Sequence, residues 1–173
     1  DRDAKGNPKK PEKDARPKGS YRIAMEILKQ VRGITEPDEA LKFSKDITDK
    51  GKWPLRVRAT LFDTIAVNAS GNAECMAFVM KTARECPDVD IRVLAISSLT
   101  SNSGAEGVFD LACGVLNDRS WRVRDVAIDL ILACASTDKD RAILALINRL
   151  ALEQGKLKLT LSKALTSLTN ETL

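Results

Sequence analysis

One apolar–basic pair, followed by small and apolar residues at helical spacing, returns five times along this chain and limits its fold more than any other feature. Its fullest form is DRSWRVRDVAIDLILACA, residues 118–135. There Val123, Val126, Ala127, Leu130, Ile131 and Cys134 recur at the three-and-four spacing that places side chains on one helical face. A second apolar line, Trp121, Ile128, Leu132 and Ala135, runs down the adjoining face. A helix that is apolar on two sides needs neighbours on both, as a helix inside a stack has. Asp118 is expected to cap its start, because a short carboxylate accepts from the free N–H groups of a first turn.

Aligned on the pair Val123–Arg124, the other copies fall into register. Ile91–Arg92 is followed by Ala95, Ser98 and Leu99; Val57–Arg58 by Leu61, Thr64 and Ile65; Leu157–Lys158 by Leu161, Ala164 and Leu165. A weaker copy is Tyr21–Arg22 with Met25 and Leu28. Successive copies are 36, 34, 32 and 34 residues apart. That period, with two helices per unit, is the mark of an α-solenoid, in which each unit buries its apolar face only against its neighbours.

The stretches PLRVRATLFDTI, DVDIRVLAISSL and DRSWRVRDVAIDLI resemble the second-helix signature of HEAT repeats: an Asp near the turn, then Val-Arg, then Ala and Leu at helical spacing. The resemblance covers about 150 residues. Only the copy at Asp118 carries every part of the signature; the copy at 57 lacks the turn Asp and the Ala, and the copy at 157 has Lys for Arg. What the resemblance implies is an all-α, right-handed α-α superhelix of HEAT-like (armadillo-like) hairpins, with the signature helices as the inner, concave wall.

Caps and breakers divide residues 20–173 into about nine helices. Ser20, Thr35, Asn72 and Thr137 or Asp138 stand where starts are needed, and Gly33, Gly51, Pro87 and Gly155 where stops are needed. The boundaries expected are 20–32, 35–50, 54–69, 72–85, 88–101, a sixth helix ending near Leu116, the seventh at 118–135, an eighth reaching Glu153, and 156–169. Connections of two to five residues make successive helices antiparallel. The odd-numbered helices then form one layer and the even-numbered helices the other. No alternating strand pattern of useful length occurs.

Residues 1–19 stand apart. They hold seven Lys/Arg and four Asp/Glu, several Pro and Gly, and no apolar residue larger than Ala, which is the composition of a disordered basic tail or linker. As a functional segment they would be a basic arm for an anionic partner. The remaining 21 basic and 20 acidic residues nearly cancel, so a strongly basic nucleic-acid-binding body is not indicated by charge alone. Leu165, Leu168 and Leu173 keep the last segment apolar, which suggests a piece of a longer chain, similar to repeat arrays in large bacterial proteins.

The inventory for catalysis is poor. With no histidine, Ser/His and Cys/His pairs and His-ligated metals are excluded. Cys75, Cys86, Cys113 and Cys134 form no C-x-x-C and read as small core hydrophobes, which favours a reducing, cytoplasmic setting; the absence of an initiator Met leaves a processed, exported form open. No apolar run approaches the length of a membrane span. No cofactor, metal or catalytic residue is expected.

Two periodic columns remain. Arg58, Arg92, Arg124 and Lys158 serve either as a row of cations for phosphate or an acidic peptide, or as an inter-repeat ladder to turn acids such as Asp88, Asp90 and Asp118. The guanidinium fork favours the ladder, since it satisfies a carboxylate and backbone carbonyls together. Six residues after the signature Val57, Ile91, Val123 and Leu157, Asp63, Ser97, Asp129 and Lys163 form a polar column. With Arg56, Thr100 and Arg122 it is the expected partner-binding stripe. The function expected is a non-catalytic scaffold or spacer that binds another protein or a neighbouring domain of a longer chain on its concave face, with nucleic-acid binding through a basic concave face as the alternative.

Overall fold

A computed structural model describes residues 67–170 together with Glu26, Lys29, Glu39, Leu41, Lys42, Thr60, Phe62, Thr64 and Ile65. Every regular element among them is helical. In order these are α1 (Ala73–Glu85), α2 (Val89–Ser98), a 3₁₀ turn (Leu99–Asn102), α3 (Val108–Val115), α4 (Trp121–Cys134), α5 (Lys139–Leu150) and α6 (Gly155–Thr169).

Local chemistry sets most of the boundaries. The side chain of Asn72 accepts from the N–H groups of Glu74 and Cys75 at 2.9 and 3.0 Å, and Pro87 follows the end of α1. Asp88 accepts from Asp90 N at 2.8 Å to start α2, and Asp138 accepts from Arg141 N at 3.1 Å to start α5. Asn170 closes α6 in the left-handed region, φ 58°, which Asn tolerates better than most residues.

Three expectations need correction. Against about nine helices, the described residues hold six α-helices and one 3₁₀ turn; the three expected between 20 and 69 lie mostly outside the described residues. The helix expected over 88–101 is α-helical only to Ser98. Ser98 Oγ donates back to the Ala95 carbonyl at 2.8 Å, the N–H of Leu99 is shared between the carbonyls of Ile96 and Ser97, and the chain tightens into the 3₁₀ turn. The following helix begins only at Val108, because Gly107 must first turn through φ 77°. Finally, the N-cap of α4 is Ser120, which makes no side-chain cap; Asp118 accepts from the Ser120 N–H at 2.7 Å and shares its carboxylate with Arg92.

The helices pair as three successive hairpins, α1 with α2, α3 with α4, and α5 with α6. The signature helices α2, α4 and α6 also pack side by side in that order, and α1 meets α3 in the other layer. Most of the apolar line of α4 is buried: Val123, Ala127, Leu130, Ile131 and Cys134 are fully enclosed, Ile128 and Ala135 of the adjoining line are buried with them, and Val126 and Leu132 are partly buried against the core. Trp121 departs from that line. It is 51% exposed at the first residue of α4. Leu165 is buried and Leu168 packs against the core, so neither is a bare apolar end.

Candidate functional site

The signature arginines are held from both sides. Arg92 Nε and Nη2 donate to the two carboxylate oxygens of Asp118 at 3.1 and 3.0 Å. Its Nη1 donates to the carbonyls of Cys86 and Pro87 at 2.7 and 3.3 Å. Arg124 repeats the arrangement one hairpin later. Nε and Nη2 donate to Glu153 at 2.6 and 3.3 Å, and Nη1 to the carbonyls of Asp118 and Arg119 at 2.9 and 3.2 Å. In each case the fork clamps the turn that precedes its own helix onto an acid of the next hairpin. Both guanidinium groups are spent on these contacts, which leaves little donor capacity for a ligand.

The electrostatics match the geometry. Burial alone would push the Asp118 carboxyl up; the Arg92 hydrogen bonds, the Ser120 N–H and the charges of Arg92 and Arg119 outweigh it and hold the group below the usual carboxylate range. Glu153 behaves the same way. Its burial is overcome by Arg124 and by Arg149, which also bonds Glu153 from α5. Lys158 stands in the fourth position of the column but is exposed and makes no ion pair with the described residues. Arg58 lies outside the described residues.

The stripe expected to meet a partner is brought together in part. Ser97, Arg122, Asp129 and Lys163 are exposed on α2, α4 and α6, whereas Arg56 and Asp63 lie outside the described residues. Thr100 is exposed but sits in the 3₁₀ turn beyond the end of α2. Arg122 reaches back to Asp90 at 2.6 Å, so it is one end of a surface pair. Burial, and then the neighbouring Asp125, push the Asp129 carboxyl up. The ammonium of Lys156 lies 3.6 Å from Asp125 and 5.4 Å from the centre of the Trp121 ring, an arrangement suited to a cation–π contact. The outward face of these helices is therefore a half-exposed tryptophan set among alternating charges: Asp90, Arg122, Asp125, Lys156.

Asp90, expected as a ladder acid for the signature arginines, pairs instead with Arg122, and Glu153 and Arg149 join the ladder although nothing in the signature marks them. The pairs between hairpins do carry a signal, their separation. Arg122 to Asp90, Arg141 to Asp110, Arg149 to Asn117 and Lys156 to Asp125 span 32, 31, 32 and 31 residues, close to the 32 between the copies at 91 and 123. Each ties a residue to a place one hairpin earlier. On the other layer, a cleft of 270 Å³ separates α3 and α5, lined by Cys113, Leu116, Asn117, Ala145, Arg149 and Leu152 among others. Burial raises the thiol pKa of Cys113, with Arg141 opposing and Asp110 reinforcing, and burial also raises that of Cys134. Both thiols are thus held protonated and poorly nucleophilic.

Among the described residues no three His, Cys, Asp or Glu side chains gather in a way that would hold a metal ion, and no helix is long and apolar enough to cross a membrane. Compared with known proteins, the chain matches no family model, no curated protein and no solved structure.

Proposed function

We propose that this chain is an α-solenoid of HEAT-like hairpins that acts as a non-catalytic protein-interaction scaffold, with its partner on the outward face of α2, α4 and α6. The observation that carries the reading is Trp121. A large aromatic, 51% exposed and flanked by Arg122 and Lys156, is the residue type that most often anchors a protein interface, and its neighbours supply a polar rim. The signature arginines support the same reading by exclusion, since their donors are consumed in holding hairpins together. Stacked hairpins would give such a face length without a deep pocket.

The test is a pull-down with the full chain as bait, washed at low and then high salt, beside Trp121→Ala and Arg122→Glu baits. A protein that survives the high-salt wash on the native chain and is lost from both variants supports the scaffold reading. Retention of the same proteins by all three baits rejects this face. A second reading, nucleic-acid binding, draws on α6, which carries Lys156, Lys158 and Lys163 and no acidic residue. The acids Asp90, Asp125 and Asp129 on α2 and α4 interrupt that charge. Nucleic acid captured at low salt, with affinity falling steeply as salt rises, would replace the first reading with the second.

A further inference from the structure

We infer that the hairpins α3–α4 and α5–α6 meet at a joint: the outer layer opens and closes between α3 and α5, while the inner layer stays packed between α4 and α6. The two layers are joined by different chemistry. In the inner layer α4 lies directly on α6, and Ile128, Ile131, Leu161 and Leu165 of these helices are buried. In the outer layer α1 comes directly against α3, whereas the 270 Å³ cleft separates α3 from α5.

The side of α5 that meets α3 carries Arg141, Ala145, Asn148, Arg149 and Leu152, the spacing of one helical face. What crosses from it to α3 is polar. Arg141 donates to Asp110 at 2.9 Å and lies 4.6 Å from the centre of the Phe109 ring, and the side chains of that ion pair are 58% and 71% exposed. Arg149 donates to Asn117 at 3.0 Å, also at the surface. Leu152, the largest apolar side chain that α5 and its turn bring to the cleft, is 70% exposed, so the cleft is already wet. Parting α3 from α5 therefore uncovers little new apolar surface, and it exchanges exposed polar pairs for water at small net cost.

Arg124 and Glu153 supply the pivot. They join α4 to the turn between α5 and α6 at 2.6 Å, with side chains 15% and 8% exposed. Arg149 holds the same Glu153 from within its own hairpin, so it travels with the turn and only its bond to Asn117 has to part. Because α6 turns together with α5, the motion also changes how Lys156 stands to Trp121 and Asp125 across the inner seam. The joint lies between two described hairpins, whatever the far side of α5 and α6 meets.

A native thiol reports on it. Cys113 lines the cleft and is half-buried, whereas Cys75 and Cys134 are fully buried. The full chain is labelled with N-ethylmaleimide and, separately, with the bulkier and uncharged pyrenylmaleimide, and each site is followed by peptide mass spectrometry. The readout at Cys113 is the rate with the bulky reagent divided by the rate with the small one, which cancels the protonation of the thiol. Pyrenylmaleimide should reach Cys113 while sparing Cys75 and Cys134. Asp110→Ala and Asn117→Ala each remove one exposed bridge, and each should raise the ratio about two- to fivefold with Cys75 unchanged. A ratio that either variant leaves at its native value overturns the inference. So does bulky labelling of Cys113 only in step with Cys75, since the cleft would then open by global unfolding alone.

Discussion

At the scale of single residues, the chain is held together across its hairpins by arginine forks. Arg92 and Arg124 each combine a bidentate carboxylate with two backbone carbonyls, a geometry that a lysine ammonium does not reproduce. Glu153 is the most heavily used acid. It is 8% exposed and takes donors from both Arg124 and Arg149. Replacing it with Gln leaves two guanidinium groups short of a counter-charge, and the expected loss is about 3 kcal/mol in urea unfolding at pH 7. The pH dependence has a definite sign. Asp118 and Glu153 titrate lower in the folded chain than in the unfolded one, so their contribution is complete above the unfolded carboxylate range. It is lost as pH falls from about 4 through their folded values. Asp129, raised in the fold, works in the opposite sense and recovers a little stability as it protonates. Denaturation followed from pH 7 to pH 2 should show the fall, and Glu153→Gln should flatten it.

At the scale of elements, the ends of helices were legible because capping is a conversation between residues two or three apart. Asn72, Asp138 and the stop at Pro87 fall where the sequence puts them. Asn72→Ala should lower stability by about 1 kcal/mol in thermal or urea unfolding. Where elements deviate, a second local interaction competes. Ser98 bonds back to the Ala95 carbonyl where α2 tightens into the 3₁₀ turn, and Asp118 divides its carboxylate between the Ser120 N–H at the start of α4 and Arg92. Gly107 sets the start of α3 through a positive φ, and a Cβ there would stand 3.2 Å from Met80 Cε. Gly107→Ala is therefore expected to cost about 1–2 kcal/mol, visible as a lower unfolding midpoint.

At the scale of the whole molecule, α4 is the middle of the described structure, packed against α2, α3, α5 and α6. Leu130 is fully enclosed on it. Leu130→Ala should cost about 2–5 kcal/mol. Since each hairpin rests on its neighbours, the loss should appear in amide exchange across α2, α3, α5 and α6 as well as within α4. Protection confined to change within α4 would mean that the hairpins fold independently of one another.

What the sequence by itself determined is the helical class, the caps, and the apolar lines of α2, α4 and α6, because periodicity and capping act within a few residues. Their meaning does not depend on where the rest of the chain lies. Which acid completes each arginine, why Trp121 is left half in water, and which face remains open were decided only by the tertiary structure. Glu153 lies 29 residues from Arg124, and Asp90 lies 32 from Arg122. At such distances a sequence offers many equivalent carboxylates, and only the stacking of one hairpin on the next selects among them.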